Sequence, residues 1–186
     1  MSDSAKILWG EGLFLRPQHF QQQDAYHEAR LHATAQAIQP YAWGVRHARF
    51  DTDALASGML RISELSLFFP DGEWYCAPQS DELPAPLALA NLPAGVSEST
   101  FHLALYPLRD FGGNYREASE GSPSSRFVGQ QRDTADLFTE AEPASITYLK
   151  KAVKLIADSE PRDQYISLPI VRVRRTATGG FELDEN

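Results

Sequence analysis

Residues 59–77 read MLRISELSLFFPDGEWYCA. Leu60, Ile62, Leu65 and Leu67 interleave with Arg61, Ser63 and Glu64, the alternation of a strand with one face buried. Pro70-Asp71-Gly72 then supplies a turn, because proline presets φ near −65° and glycine permits a positive φ. Glu73 to Ala77 runs back. The stretch predicts a β-hairpin.

Similar texture extends on both sides. Val45 to Phe50 reads as a strand, and so does Thr100 to Leu108, with Phe101, Leu103 and Leu105 on one side and His102, Ala104 and Tyr106 on the other. Between them, 78–97 is a long connection rich in proline and alanine. Phe111 to Ser125 is a glycine- and serine-rich loop, and Arg126 to Phe138 is polar but compatible with β structure. Ile146 to Ile156 fits both periods: Ile146, Leu149, Val153 and Ile156 have helical spacing, while Leu149, Val153 and Leu155 fit alternation. Tyr165 to Arg174 is strand-like, with Pro169 marking an edge or a bulge. Thr178-Gly179-Gly180 turns the chain into Phe181-Glu182-Leu183.

Toward the N-terminus the pattern changes. Pro17 to Ile38 has no glycine and no internal proline, and it is built largely from Gln, Ala, Glu and Arg, residues a helix accepts. Pro17 suits a first helical turn, and Pro40 ends the run. Phe20, His27, Leu31, Thr34 and Ile38 form a narrow, partly apolar stripe. One helix followed by short strands and turns predicts a mainly β chain, a β-sandwich or barrel with one N-terminal α-helix. The organisation is an N-terminal arm over 1–16, a helix over 17–39 and a β domain over 43–186.

Composition narrows the function. With 42% hydrophobic residues the chain can bury a core. Seventeen basic against twenty-five acidic side chains give a net charge of −8, which argues against nucleic acid. Residues 51–120 concentrate the acidity, and this reads as a solvated face. Cys76 is the single cysteine, so neither an internal disulfide nor a thiolate metal site can be built; its apolar neighbours suit a buried thiol. No run approaches the roughly 20 apolar residues that span a bilayer. Met1 to Lys6 shows no secretory signal, and a cytoplasmic location is expected.

Catalytic patterns are absent from the sequence. His27 and His32, in HEARLH, are five residues apart and point about 140° apart on a helix, whereas the zinc-protease motif needs four. No nucleophile elbow, phosphate-binding loop or dinucleotide fingerprint occurs. EGSPSS at 120–125 reads as a flexible loop. Asp81-Glu82 and Asp184-Glu185 read as solvated charge, and Arg172, Arg174 and Arg175 as a basic stripe facing solvent or pairing with the acidic surface, an acidic partner patch being the alternative. No cofactor and no metal are expected.

What remains is Trp9 to Asp24, WGEGLFLRPQHFQQQD. Termini fray unless tied down, yet Trp9, Leu13, Phe14, Leu15, Arg16, His19 and Phe20 crowd together there. Aromatic residues and arginine are enriched as interface anchors. Either they staple the helix to its own domain, or some face a partner.

This stretch resembles the N-terminal signature of the TssK family, also called ImpJ or VasE, W-x-E-G-x-F-L-x-P-Q-H-F-Q-Q-Q-D. YISLPIVRV, a glycine turn and FELDEN are similar to the family's strands before its middle domain. The resemblance implies a cytoplasmic baseplate subunit of the type VI secretion system. Its N-terminal β-sandwich is similar to the shoulder domain of siphophage receptor-binding proteins, and is followed by a helical neck and a head. It implies homotrimers, attachment of the N-terminal domain to the TssF–TssG wedge, and contact of the head with the TssJ–TssL–TssM membrane complex. On that pattern Asn186 lies about where the neck begins, and 146–156 becomes strand. The implied role is a non-enzymatic adaptor, with Trp9, Leu13, Phe14, Leu15, Arg16, His19 and Phe20 as partner-binding residues. The rival is a carbohydrate-binding sandwich using Trp74, Tyr75 and Tyr106 as stacking platforms. A hydrolase would need two acids facing across a pocket.

Overall fold

A computed structural model describes residues 5–93, 96–119 and 124–184. Met1 to Ser4, residues 120–123 of the EGSPSS loop and Glu185 therefore lie outside the described residues. In chain order the elements are α1 (Pro17–Ile38), β1 (Gly44–Phe50), α2 (Thr52–Ala56), β2 (Met59–Leu60), β3 (Ile62–Phe68), β4 (Trp74–Ala77) and β5 (Leu87–Ala88). They continue with β6 (Glu98–Leu105), β7 (Tyr115–Arg116), β8 (Phe127–Thr134), β9 (Ala144–Lys151), β10 (Lys154–Ala157), β11 (Ile166–Arg175) and β12 (Phe181–Asp184). The chain is mainly β, with α1 its long helix. The five-residue α2 is a second helix that the sequence reading did not anticipate, capped where the Asp51 carboxylate accepts the Ala54 N–H.

Two antiparallel sheets carry the core, β1-β3-β4 and β10-β6-β11-β12. Their inner faces meet in one hydrophobic cluster. Leu65, Leu67, Tyr75 and Ala77 come from the first sheet, and Phe101, Leu103, Leu105, Leu155, Leu168 and Val173 from the second. This is a sandwich, each strand giving alternate residues to the core. The hairpin of 59–77 is present. Phe69 N–H donates to the Glu73 carbonyl, Gly72 N–H donates to the Phe69 carbonyl, and Gly72 has φ +88°. The step from Ile62 to Leu65 breaks a strict period of two because the register slips between Arg49 and Phe50 of β1, a β-bulge that restores both side chains to the core face.

The ambiguous 146–156 resolves as strand. β9 pairs antiparallel with β8, Ala152 and Val153 intervene, and β10 pairs with β6. A polar 127–134 thus finds its partner within the same chain. Pro169 lies in β11, an interior strand, and a register shift between Pro169 and Val171 accommodates it. The bulge reading of that proline therefore holds and the edge reading does not. The 78–97 connection contains β5, which pairs with β2, and a single 3-10 turn over Leu89–Asn91.

Some charges read as solvated prove to be structural. Asp81 is buried, accepting the Cys76 N–H at 3.1 Å and facing the Lys151 ammonium at 3.4 Å. Folding brings the cation to it from 70 positions along the chain, a pairing that adjacency to Glu82 conceals. Cys76 is buried, as its neighbours suggest. Arg172 pairs with Asp184 and Arg174 with Glu182, so this stripe is matched from β12.

Candidate partner-binding surface

The surface begins in the arm. Leu13 N–H donates to the Gly10 carbonyl across a bend at Gly12, whose φ is +77°. Arg16 is the N-cap of α1 in extended geometry. Its N–H donates to His19 Nδ1 at 3.0 Å, and the His19 N–H donates to the Arg16 carbonyl at 3.0 Å. His19 therefore does what a glutamate does in a capping box, and Pro17 fills the first turn without leaving a donor unpaired. The arm folds back so that Trp9 lies 6.1 Å from His19 and 6.3 Å from Phe20, ring centre to ring centre. Three of the seven residues read from the sequence are thus assembled into one aromatic cluster. Leu13, Phe14 and Leu15 are exposed beside it, Phe14 at 80%.

The helix that follows buries none of its residues. Stapling of the helix to its own domain, one of the two readings of this stretch, is matched by no buried residue in α1. The helix approaches the body at His32, whose ring lies directly over Gly72 at the hairpin turn. Beside that contact the Glu28 carboxyl is held above its ordinary range, first by desolvation and then by the Glu73 and Asp24 carboxylates, with Arg126 and Lys151 opposing. Leu31 precedes His32 and so points about 100° away around the helix. Leu31 and Ile38 remain 71% and 82% exposed, and Tyr41, Trp43 and Val45 beyond the helix are exposed too. Arm, helix stripe and the entry to β1 leave a succession of large apolar groups uncovered, and such surfaces mark interaction sites.

The hairpin turn under α1 is fixed by charge. Arg126 is buried; its guanidinium donates to Asp71 at 2.9 Å, to Glu73 at 2.8 Å and to the Tyr106 carbonyl at 2.8 Å. Lys151 adds contacts to Glu73 and Asp81 at 3.4 Å each. Sequence reading missed this network, since its partners lie some fifty positions apart and no local pattern joins them.

Other candidate chemistry is sparse. Among the described residues no three His, Cys, Asp or Glu side chains gather where they could hold a metal ion; His27 is exposed. A cleft of about 580 Å³ beside His102 is lined by Glu160, Arg162, Asp163, Tyr165 and Ser167. Its Glu160 accepts the Ala157 N–H at 2.9 Å and its Arg162 pairs with Asp158 at 3.0 Å, so these groups secure the loop after β10. Burial and the neighbouring Arg162 hold the His102 imidazole below its usual pKa. Of the three aromatic platforms, Tyr75 and Tyr106 are buried, and only Trp74, stacked on Phe68, presents a face to solvent. That overturns their reading as a set of stacking residues. Among the described residues no helix is long and apolar enough to cross a membrane.

Fold and surface together define a class: a β-sandwich module that keeps an apolar arm and helix outside its own core. Residues 19–186 match the family described as Bacterial Type VI secretion, VC_A0110, EvfL, ImpJ, VasE. The chain belongs to this family. It is 30% identical to the type VI secretion system baseplate component TssK1 of Pseudomonas aeruginosa PAO1 over 100% of its own length, and it spans 42% of that relative. Its fold is similar to a chain in the TssK-TssF-TssG baseplate subcomplex seen by cryo-electron microscopy, with TM-score 0.90 and 28% identity, covering 98% of this chain and 60% of that one. It is likewise similar to TssK in a crystal structure, with TM-score 0.83 and 26% identity, covering 98% and 41%. The whole-chain match carries the family assignment made from the N-terminal signature.

Proposed function

We propose that this chain is a non-enzymatic structural adaptor of the type VI secretion baseplate, and that its arm and α1 attach to the TssF–TssG wedge. One observation carries the proposal: α1 spans 22 residues with none buried. Helical stability in proteins comes mostly from packing an amphipathic face, so a helix of this length with an uncovered stripe calls for a second molecule. Similarity to a chain in a TssK-TssF-TssG assembly supports the wedge as that molecule. On this reading the whole protein is a cytoplasmic homotrimer that links the baseplate to the TssJ–TssL–TssM membrane complex through regions outside this sandwich.

Trp9, Phe14 and Phe20 are the anchors, flanked by Leu13, Leu15, Arg16 and His19. Truncating a well-buried aromatic anchor costs about 2 kcal/mol or more. Trp9→Ala, Phe14→Ala and Phe20→Ala are therefore expected to weaken capture of purified TssF–TssG by at least about tenfold each, with circular dichroism unchanged. Full binding by the folded variants would remove these residues from the interface. The carbohydrate-binding alternative keeps only Trp74 and loses its support.

A further inference from the structure

The β8–β9 ribbon stands apart from the sandwich. Each strand has eight residues, which at about 3.3 Å per residue gives roughly 25 Å of reach. β7 pairs with β8 only at Phe127 and Val128, and β9 is the end strand of that sheet. Side chains hold the base of the ribbon to the body, Gln130 to Glu82 and Lys150 to the Ser80 carbonyl. Further out the ribbon is braced from within. Thr134 and Tyr148 share a hydroxyl contact of 2.9 Å, and the Arg132 guanidinium lies 4.2 Å from the Tyr148 ring centre.

At the tip Leu137 and Phe138 are 87% and 93% exposed. The Asp136 carboxylate accepts the Phe138 and Thr139 N–H groups at 2.7 and 2.9 Å, which fixes the turn that presents them. Exposed Glu140 and Glu142 follow, and neither is within ion-pair distance of a cation among the described residues. An internally braced ribbon that carries two large apolar side chains beside unmatched carboxylates fits an apolar pocket with a basic rim. Another copy of this chain carries a net charge of −8 and so opposes an acidic tip overall. Anionic lipid and nucleic acid carry the wrong sign.

We propose that the β8–β9 tip is a second docking element, seating Leu137 and Phe138 in an apolar pocket rimmed by lysine or arginine on the same assembly that the arm engages. This rests on the reading of that assembly as the TssF–TssG wedge. The test uses the full chain and purified TssF–TssG in a biosensor at two salt concentrations, with light scattering of the chain alone. The double variant Leu137→Ser/Phe138→Ser is expected to bind roughly 10- to 100-fold more weakly. Glu140→Lys/Glu142→Lys is expected to associate several-fold more slowly at low salt, with a flatter salt dependence. All four positions are exposed, so thermal melts of the variants should match the parent. If tip variants bind within twofold of the parent while arm variants fail, the tip is no docking element and the wedge reading stands. If the parent chain does not bind TssF–TssG, both readings fall. If the tip variants instead dissolve self-association with wedge binding intact, the occupant is a second copy and the proposal is overturned.

Discussion

Arg126 shows how much one side chain can decide. Its guanidinium gathers Asp71 and Glu73 from the hairpin turn, and the Tyr106 carbonyl just after β6, into a buried junction. Removing one member of a buried ion pair strands the others. Arg126→Met is expected to lower unfolding free energy by about 3 kcal/mol, the low end for such a break because Asp71 and Glu73 keep some access to water. Urea denaturation would check this, and a loss under about 1 kcal/mol would contradict it. Nothing near Arg126 in SSRF announces its role. Asp81 likewise read as surface charge, because its cation comes from β9, 70 positions away. Residues whose burial follows from local alternation, such as Phe101, Leu103 and Leu105, were legible; ionic partnerships that depend on tertiary contact were not.

Among the elements, the turn between β3 and β4 serves two purposes. Gly72 closes the hairpin at φ +88°, and the His32 ring of α1 rests on it so closely that an added Cβ would fall 2.1 Å from Nδ1. Gly72→Ala is therefore expected to cost more than about 1 kcal/mol, from backbone strain together with displacement of α1. Adding His32→Ala should recover the part due to the clash and leave the part due to φ; an unchanged melting temperature in the single variant would refute this. The hairpin itself was readable from Pro70-Asp71-Gly72. The strand identity of 146–156 was not, since its spacing serves two periods. The structure decides it by supplying β8 and β6 as partners. α1 was legible as a helix, but its stripe of Phe20, Leu31 and Ile38 gave no sign that the sandwich would leave it uncovered.

At the scale of the molecule, one core joins the two main sheets while arm, α1 and ribbon tip remain outside it. Sequence reading reached the sandwich through alternation, and reached the family through Trp9 to Asp24. It did not separate stapling from docking, because an apolar stripe looks the same whether its own domain or another chain covers it. Amide exchange separates them. Uncovered helices open readily, and binding of a partner slows their exchange. Hydrogen–deuterium exchange of residues 5–38 should be fast in the isolated chain and slow at least about tenfold when TssF–TssG is added, while the β6 and β11 core keeps its rate. If TssF–TssG binds and residues 5–38 exchange as before, arm and helix are not the docking surface.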